Sequence, residues 1–308
     1  MSNGKMDLGF LHKLISDNSD VIVPTNKIGT DFSTARNRDS TFIFKIEPAV
    51  YYDFLTPVEN ARLSFTFAMN DFLCSGRNPL YAMIDFESPP VPRHKFIEYI
   101  GYYYEILRMN HMLLSAAHTG IYNNSGFGVI GSIAMVGTGT PIFSHERIRR
   151  DDSFYIVGKI GLELRFFMFR KKMISARTEI EELAINPLVN LFLQQRKAVH
   201  YVHDIAEGGP YRALEEVSLL VNRGFDLDSS GMRMLVPPDL HNIGKNIISA
   251  SSSGAAIVAI SGRQSQSFEQ SMSDSGIPFL KLASAEEGVL LDGKTYKGRD
   301  RLVSILSN

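Results

Sequence analysis

The chain has 308 residues, 44% of them hydrophobic, with 32 basic side chains against 33 acidic ones and a single cysteine, Cys74. The length suits two domains of roughly 150 residues each, and the apolar content excludes a disordered polymer. The charge balance argues against bulk attraction to nucleic acid or an anionic membrane. One cysteine excludes an internal disulfide framework, so Cys74 is expected to be a buried, small apolar residue. No apolar run approaches the roughly 20 residues that cross a bilayer, and Met1 to Phe10 lacks the apolar stretch of a signal peptide. A cytoplasmic protein is expected.

In chain order, Leu8 to Ser16 has the spacing of a short helix, and Val21 to Val23 and Thr41 to Ile46 have the β-branched and aromatic content of strands. Between them, Asn26 to Ser40 is polar and suits a ligand loop. Glu59 to Cys74 has helical spacing, with Gly76 as its stop and Pro79 beyond. Leu80 to Phe86 reads as a strand, Ser88 to Pro92 as a loop, His94 to Ala117 as a long helix and Val129 to Val136 as a strand. Thr140 to Asp152 turns polar and basic, which places the domain boundary between residues 148 and 149. Beyond it, Phe154 to Val157 is a strand leading through Gly158 and Gly161 into a helix. Glu179 to Arg196 contains a helix with Pro187 at its start or at a break. Val199 to Val202 is a strand, Gly208 to Asn222 a helix, Gly254 to Ser261 a strand and Phe268 to Ser275 a helix. Ile277 to Ala283 and Gly288 to Leu291 are strands. Strands and helices alternate in both halves, so an α/β or α+β arrangement is expected.

Five places carry chemistry. His203-Asp204-Ile205-Ala206-Glu207-Gly208-Gly209-Pro210 runs from a strand end into a Gly-Gly-Pro helix start. There the glycines permit close approach, the proline fits the first turn, and free N–H groups favour an anion. Glu207 is either part of that site or a simple cap. Asn70-Asp71 puts a carboxylate on an otherwise apolar helix, where it needs a partner, a metal or water, unless the pair lies on one exposed face. Asp31 in Gly29-Thr30-Asp31, together with Glu47, supplies oxygen ligands of the kind Mg²⁺ prefers. His118-Thr119-Gly120, followed by Gly126-Phe127-Gly128, lines a phosphate or is an ordinary connection. Ser251-Ser252-Ser253-Gly254 suits close packing or ligand approach. A zinc site on His200, His203 and Glu207 requires a helix there, and strand geometry would send His200 and His203 to opposite faces. The Walker and nucleophile-elbow signatures are absent, and no G-x-G-x-x-G stands in a strand–turn–helix context.

Taken in order, Asn70-Asp71 through Ser75-Gly76-Arg77-Asn78-Pro79-Leu80, His203 to Gly209, and Ser252-Ser253-Gly254 with Ala255 to Ala259 resemble segments of the aminoimidazole ribonucleotide (AIR) synthase-related superfamily. That superfamily includes formylglycinamidine ribonucleotide synthetase, selenophosphate synthetase, thiamine-monophosphate kinase and the ATP-dependent hydrogenase-maturation dehydratase. The resemblance implies a two-domain AIR synthase-like fold. Residues 1–148 would bind ATP and give strands to a dimeric β-barrel, and residues 149–308 would form a C-terminal α/β domain. It also implies a homodimer, Mg²⁺ and ATP as cofactors, and activation of an oxygen of a small, phosphorylated substrate by phosphoryl transfer.

Carried over by position, Asp31, Glu47 and Asp71 would hold Mg²⁺. Gly29, Asn70, Thr119, Gly120, Gly208 and Gly209 would support or line the nucleotide site, and Asp71, Asp204 and His118 would carry catalysis. The chain departs from the pattern at Gly29-Thr30-Asp31-Phe32, at Lys45-Ile46-Glu47 and at Ala117-His118-Thr119-Gly120, where acids are lost or replaced. Glu207-Gly208-Gly209 argues against the thiamine-monophosphate kinase branch. No cysteine-bearing extension supports selenophosphate synthetase, and the C-terminal Ile305 to Asn308 lacks the cysteine tail of the dehydratase. The alternatives are a catalytically degenerate, nucleotide-binding dimeric scaffold and a zinc hydrolase.

Overall fold

The computed structural model describes residues 7–17, 19–88, 91–121 and 131–296. Its first half is built on one five-stranded sheet, in the order β1-β2-β5-β3-β4. The strands are β1 (Ser33–Asn37), β2 (Ser40–Pro48), β3 (Tyr81–Ser88), β4 (Leu113–Ile121) and β5 (Ser132–Thr138). Helix α1 (Leu8–Asp17) precedes them; α2 (Pro57–Leu73) follows β2, and α3 (Arg93–Met109) links the parallel pair β3 and β4.

Strand alternation gives this sheet two unlike faces. Ile43, Met135, Ala82, Ile133, Ile84 and Phe86 form one face and are buried with α2 residues such as Phe65, Met69 and Phe72. The other face leaves Ile46 and Leu113 64% and 66% exposed, beside Phe44, Tyr81 and Met83.

Helix α2 starts where its chemistry requires. The Thr56 hydroxyl accepts from the Glu59 N–H, the Glu59 carboxylate accepts from the Thr56 N–H, and Pro57 occupies the first turn. The helix ends at Cys74, which is fully buried, and Gly76 turns the chain with a φ of 71° that suits glycine.

The second half carries two four-stranded sheets. One is ordered β10-β6-β9-β7, from Phe279–Lys281, Ser153–Val157, Ala255–Ile260 and Val199–Ile205. Every residue of β7 and β9 is buried, as in a strand covered on both faces. The other is ordered β11-β8-β12-β13, from Ala283–Ala285, Gly224–Leu227, Val289–Leu291 and Lys294–Thr295. Helices α4 (Leu162–Arg170), α5 (Asn186–Gln194), α6 (Gly209–Val221), α7 (Ser229–Leu235) and α8 (Ser265–Asp274) complete this half. A mixed α/β fold therefore stands as expected.

Several local expectations are corrected. Val21 to Val23 forms no strand: it has turn and bend geometry and pairs with no strand among the described residues. The polar segment Asn26 to Ser40 is not all loop, because β1 pairs there with β2 in a tight hairpin. The long helix stops at Met109. His111 adopts a φ of 54°, and Leu113 onward pairs in parallel with β3. The 3.6-residue spacing continued past the real stop, and pairing with β3 overrode the strong helix propensity of Ala116 and Ala117. Strand β8 and helix α7, capped by Asp228 accepting from Ser230 and Gly231, were not expected at all. The Gly126 to Gly128 loop, Pro89-Pro90, Val129-Ile130 and the C-terminal Ile305 to Asn308 lie outside the described residues.

Asn70 joins the two halves. Its side-chain amide donates to the Leu183 carbonyl at 2.8 Å, and its carbonyl oxygen accepts from the Ile185 N–H at 3.0 Å, with the residue fully buried. Asn70→Ala would leave both backbone groups without a partner. We expect a loss of about 3 kcal/mol in urea unfolding, and an unchanged midpoint would remove Asn70 as a strut.

Candidate functional site

A cleft of about 370 Å³ opens where the two halves meet, and both halves supply its walls. On β2, Lys45 and Glu47 share the parity of buried Ile43, so they point toward α2 rather than toward the exposed face. Asp71 comes from the last turn of α2. Asp31 comes from the loop before β1. His203 and Asp204 come from the end of β7, followed by Ala206 and Glu207 before α6. Glu163, Glu216, Ser251 and Ser253 close the wall of the second half.

Two cations organise the acids. Lys45 Nζ lies 2.6 Å from Glu47 Oε1 and also contacts Asp71 Oδ2. His203 Nδ1 lies 2.5 Å from Asp31 Oδ1, and its Nε2 lies 3.5 Å from Glu216 Oε2. Asp31 Oδ2 accepts the Asp204 N–H at 3.2 Å, so the loop before β1 is fastened to the end of β7. Glu163 accepts from the Ser253 hydroxyl at 2.7 Å, and the Ser252 hydroxyl accepts the Gly161 N–H at 2.8 Å. The small residues Ser251 to Gly254 thus pack against α4 while keeping hydroxyls at the cleft.

Burial disfavours charge here and neighbouring charges then decide. For Lys45, burial alone would lower the pKa; Asp71 and Glu47 outweigh it and hold the ammonium well above its ordinary value. Burial and then Asp71 push the Glu47 carboxyl up to about 7. Burial and then Asp204 push Asp71 up to about 7 against the pull of Lys45. His203 is raised to about 10: burial opposes its charge, but Asp31 and Glu216 prevail. Both ring nitrogens lie near carboxylates, a charge arrangement that favours the protonated ring.

Of the residues singled out in the sequence, Asp31, Glu47, Asp71 and Asp204 come together in this cleft, and Glu207 lines it. Gly29 and Asn70 stand just behind it. The Gly29 carbonyl accepts from the Tyr201 hydroxyl, and a Cβ on Gly29 would sit 2.6 Å from the Glu216 carbonyl oxygen. Gly208 and Gly209, with φ of 80° and 61°, shape the start of α6 without lining the cleft. A Cβ on Gly209 would lie 2.4 Å from the Ala250 carbonyl oxygen.

His118, Thr119 and Gly120 are elsewhere, on the edge strand β4. His118 pairs in register with Asp85, and Asp85 shares the face opposite to Ile84 and Glu47. His118 therefore does not join Asp71 in this cleft. The zinc arrangement also fails: His200 Nδ1 is 2.8 Å from Asp152 Oδ2, while His203 is turned to Asp31. Sequence reasoning missed Lys45, Glu163 and Glu216 as site residues. The parity of Lys45 with Glu47 on a strand was the available signal; Glu163 and Glu216 looked like ordinary surface acids of helices.

The donors are those of a hard cation. Carboxylate oxygens of Asp31, Glu47, Asp71 and Asp204 fit Mg²⁺. Burial, and then the neighbouring carboxylates, raise the proton affinity of Asp71 and Glu47 despite Lys45. Asp31, His203 and Asp204 are also spaced closely enough to hold an ion, which would have to displace the proton that Asp31 and Glu216 stabilise on the His203 ring.

No protein-family model matches the chain, and no curated protein matches it by sequence. Solved structures do match along nearly its whole length. HypE in a HypE–HypF complex is 14% identical, covers 94% of this chain and 99% of its own, and superposes with a TM-score of 0.70. AaThiL complexed with AMPPCP and TMP is 14% identical, covers 96% and 98%, and gives 0.71. Thiamine-monophosphate kinase from Stenotrophomonas maltophilia K279a is 15% identical, covers 96% and 99%, and gives 0.64. The chain has the AIR synthase-like fold. The AIR synthase-like arrangement puts the most conspicuous acids of this chain into one cleft even where its sequence departs from the pattern.

The raised carboxyl values make stability depend on pH with a definite sign. The folded protein holds protons on Asp71 and Glu47 that the unfolded chain has released, so their contribution is full below about pH 4 and is lost as pH rises toward 7. In metal-free buffer, Asp71→Asn should flatten the fall of the melting temperature between pH 4 and 7 relative to the parent. Parallel profiles would show that Asp71 keeps an ordinary pKa.

Proposed function

We propose that the chain is an Mg²⁺- and ATP-dependent enzyme of the ligase or kinase type. It would activate an oxygen of a small, phosphorylated substrate by phosphoryl transfer. The observation that carries this reading is the convergence of Asp31, Glu47, Asp71 and Asp204 with Lys45 and His203 in one cleft walled by both halves. The fold neighbours add support: AaThiL was solved with AMPPCP and TMP, and others are thiamine-monophosphate kinases and HypE proteins.

Residues 1–148 are the proposed nucleotide-binding and dimerisation domain, and residues 149–308 the C-terminal domain. Asp31, Glu47 and Asp71 would hold the magnesium, which when bound supplies charge neutralisation to the phosphates. Lys45 holds a permanent positive charge between two of those acids, suited to a phosphate oxygen that displaces one of them. His203, gripped by Asp31 and Glu216, fixes the end of β7 and presents Asp204. Fixed charges of this kind act by preorganisation, without rearranging during the reaction.

A second reading rests on the same lysine. Lys45 already occupies Glu47 and Asp71, so the chain would bind a nucleotide as a scaffold without turnover. ATP hydrolysis that disappears in Asp71→Ala would eliminate the scaffold.

A homodimer belongs to the proposal. The outer face of the five-stranded sheet presents Phe44, Ile46, Tyr81, Met83 and Leu113, an apolar patch of the kind that marks an interface. No helix among the described residues is long and apolar enough to cross a membrane, and the net charge of −1 gives nucleic acid no purchase. The cytoplasm is the proposed setting.

Calorimetry with ATP and Mg²⁺ tests the nucleotide. Asp71→Ala should weaken binding at least tenfold, about 1.4 kcal/mol, with the circular dichroism unchanged. The absence of any binding to the parent protein at millimolar nucleotide would overturn the assignment. Ile46→Glu, in the middle of the apolar face, should convert a dimer into a monomer by light scattering. A parent protein that is itself monomeric would refute the dimer.

A further inference from the structure

Away from the cleft, β3 carries an unusual pair of acids. Asp85 and Glu87 are two residues apart, so both point to the same face, opposite to buried Ile84 and Phe86. On the neighbouring parallel strand, His118 pairs in register with Asp85 and so shares that face. One ligand atom from each of the three side chains lies within 4.8 Å of the others.

The second observation concerns satisfaction. Glu87 is only 9% exposed, and among the described residues its Oε2 is buried without a hydrogen-bond partner, as is Asp85 Oδ1. Asp85 and Glu87 can hydrogen-bond to each other only through a shared proton; once it is lost, the two carboxylates repel each other and lack hydration. A cation bound between them removes both penalties.

We propose that Asp85, Glu87 and His118 form a binding site for a first-row divalent metal ion, with zinc as the favoured occupant. One imidazole nitrogen with two carboxylates is a zinc donor set, since magnesium and calcium take oxygen alone. Three protein ligands leave a coordination position for water. The site stands on the opposite face of the sheet from Lys45 and Glu47, with β5 between β2 and β3, so it is separate from the acidic cleft. Its two strands are ordered by sheet pairing, so the ligands are positioned by backbone register rather than by a loop.

The test is zinc titration of the full chain, stripped with a chelator and dialysed, in buffer containing excess Mg²⁺ to occupy oxygen-only sites. The parent protein should take up one zinc per chain and melt at a higher temperature with it. His118→Ala and the isosteric Glu87→Gln should each weaken zinc at least tenfold. His118 is exposed, so its loss leaves the fold intact, which circular dichroism verifies. Asp71→Asn and His203→Gln, in the other cleft, should leave the zinc stoichiometry at one. No saturable zinc uptake by the parent overturns the proposal. So does uptake that follows His203 rather than His118. If Glu87→Gln raises the metal-free melting temperature while the parent takes no zinc, the two acids share a proton and no metal. Nucleotide binding is read separately, so the failure of either site leaves the other standing.

Discussion

The cleft depends on the grip of Asp31 on the end of β7. One carboxylate oxygen holds the His203 ring and the other accepts the Asp204 N–H, so a loop from the first half is bolted to a central strand of the second. Each partner needs the others. Without Asp31, His203 would be a buried ring facing Glu216 alone, and the desolvation that already opposes its charge would win more ground. Without His203, Asp31 would be a buried carboxylate beside Asp204, like charges in a medium that screens them poorly. Asn70 makes a comparable bridge from α2 to the backbone before α5, but with neutral groups. Polar bonds at these two places, together with a hydrophobic cluster that draws residues from both halves, fix the width of the cleft.

Lys45 is the feature that separates this chain from a simple acidic pocket. Four carboxylates on neighbouring elements would repel one another strongly, and a solvated metal could leave. A lysine on the same strand as Glu47 cannot leave, so the fold carries part of its own counter-charge. Burial still raises the proton affinity of Asp71 and Glu47 against the pull of Lys45. A pocket poised in this way favours any ligand that brings further positive charge, or that brings phosphate oxygens for Lys45 together with a cation for the acids. Thr30 lines the cleft where the resembled pattern has an acid, and Lys45 supplies a permanent charge there; His118 lies on the other face of the sheet.

Much of this was legible in the sequence, and the failures have physical reasons. Strands β2, β6, β7 and β9 and helices α2 and α6 follow from β-branched runs, apolar periodicity and glycine or proline punctuation. Asp71 stood out on an apolar helix, Asp204 at a strand end and Asp31 in a polar loop, and long-range packing does bring them together. The periodicity of α3 hid β4, because alternation and helical spacing overlap in a run such as Met112-Leu113-Leu114, and only the partner strand β3 decides. Lys45 escaped attention because a lysine in a half-buried strand reads as solvent-facing; its inward direction follows only when Ile43 is known to be core. His118 was placed in the wrong company for the same reason. Its neighbours in sequence suggested a phosphate loop, whereas its neighbours in space are Asp85 and Glu87 across a strand register that no local pattern encodes.

Both charged clusters have one origin in the two-residue period of the same sheet. Odd positions of β2 bring Lys45 and Glu47 to the α2 side, and odd positions of β3 bring Asp85 and Glu87 to the other, because β5 aligns Glu47 with Ile84 rather than with Asp85. A slip of one residue in either pairing would exchange the faces. It would put acids against the core formed by Phe65, Met69 and Phe72 and expose Ile84 and Phe86, at a cost far above the stability of a typical domain. Hydrophobic burial in this sheet is therefore what keeps the two polar sites apart. It lets Asp85 and Glu87 stand beside the apolar outer face without disturbing the cleft. The chemistry on each side of the sheet is set by which apolar residues the sheet must hide.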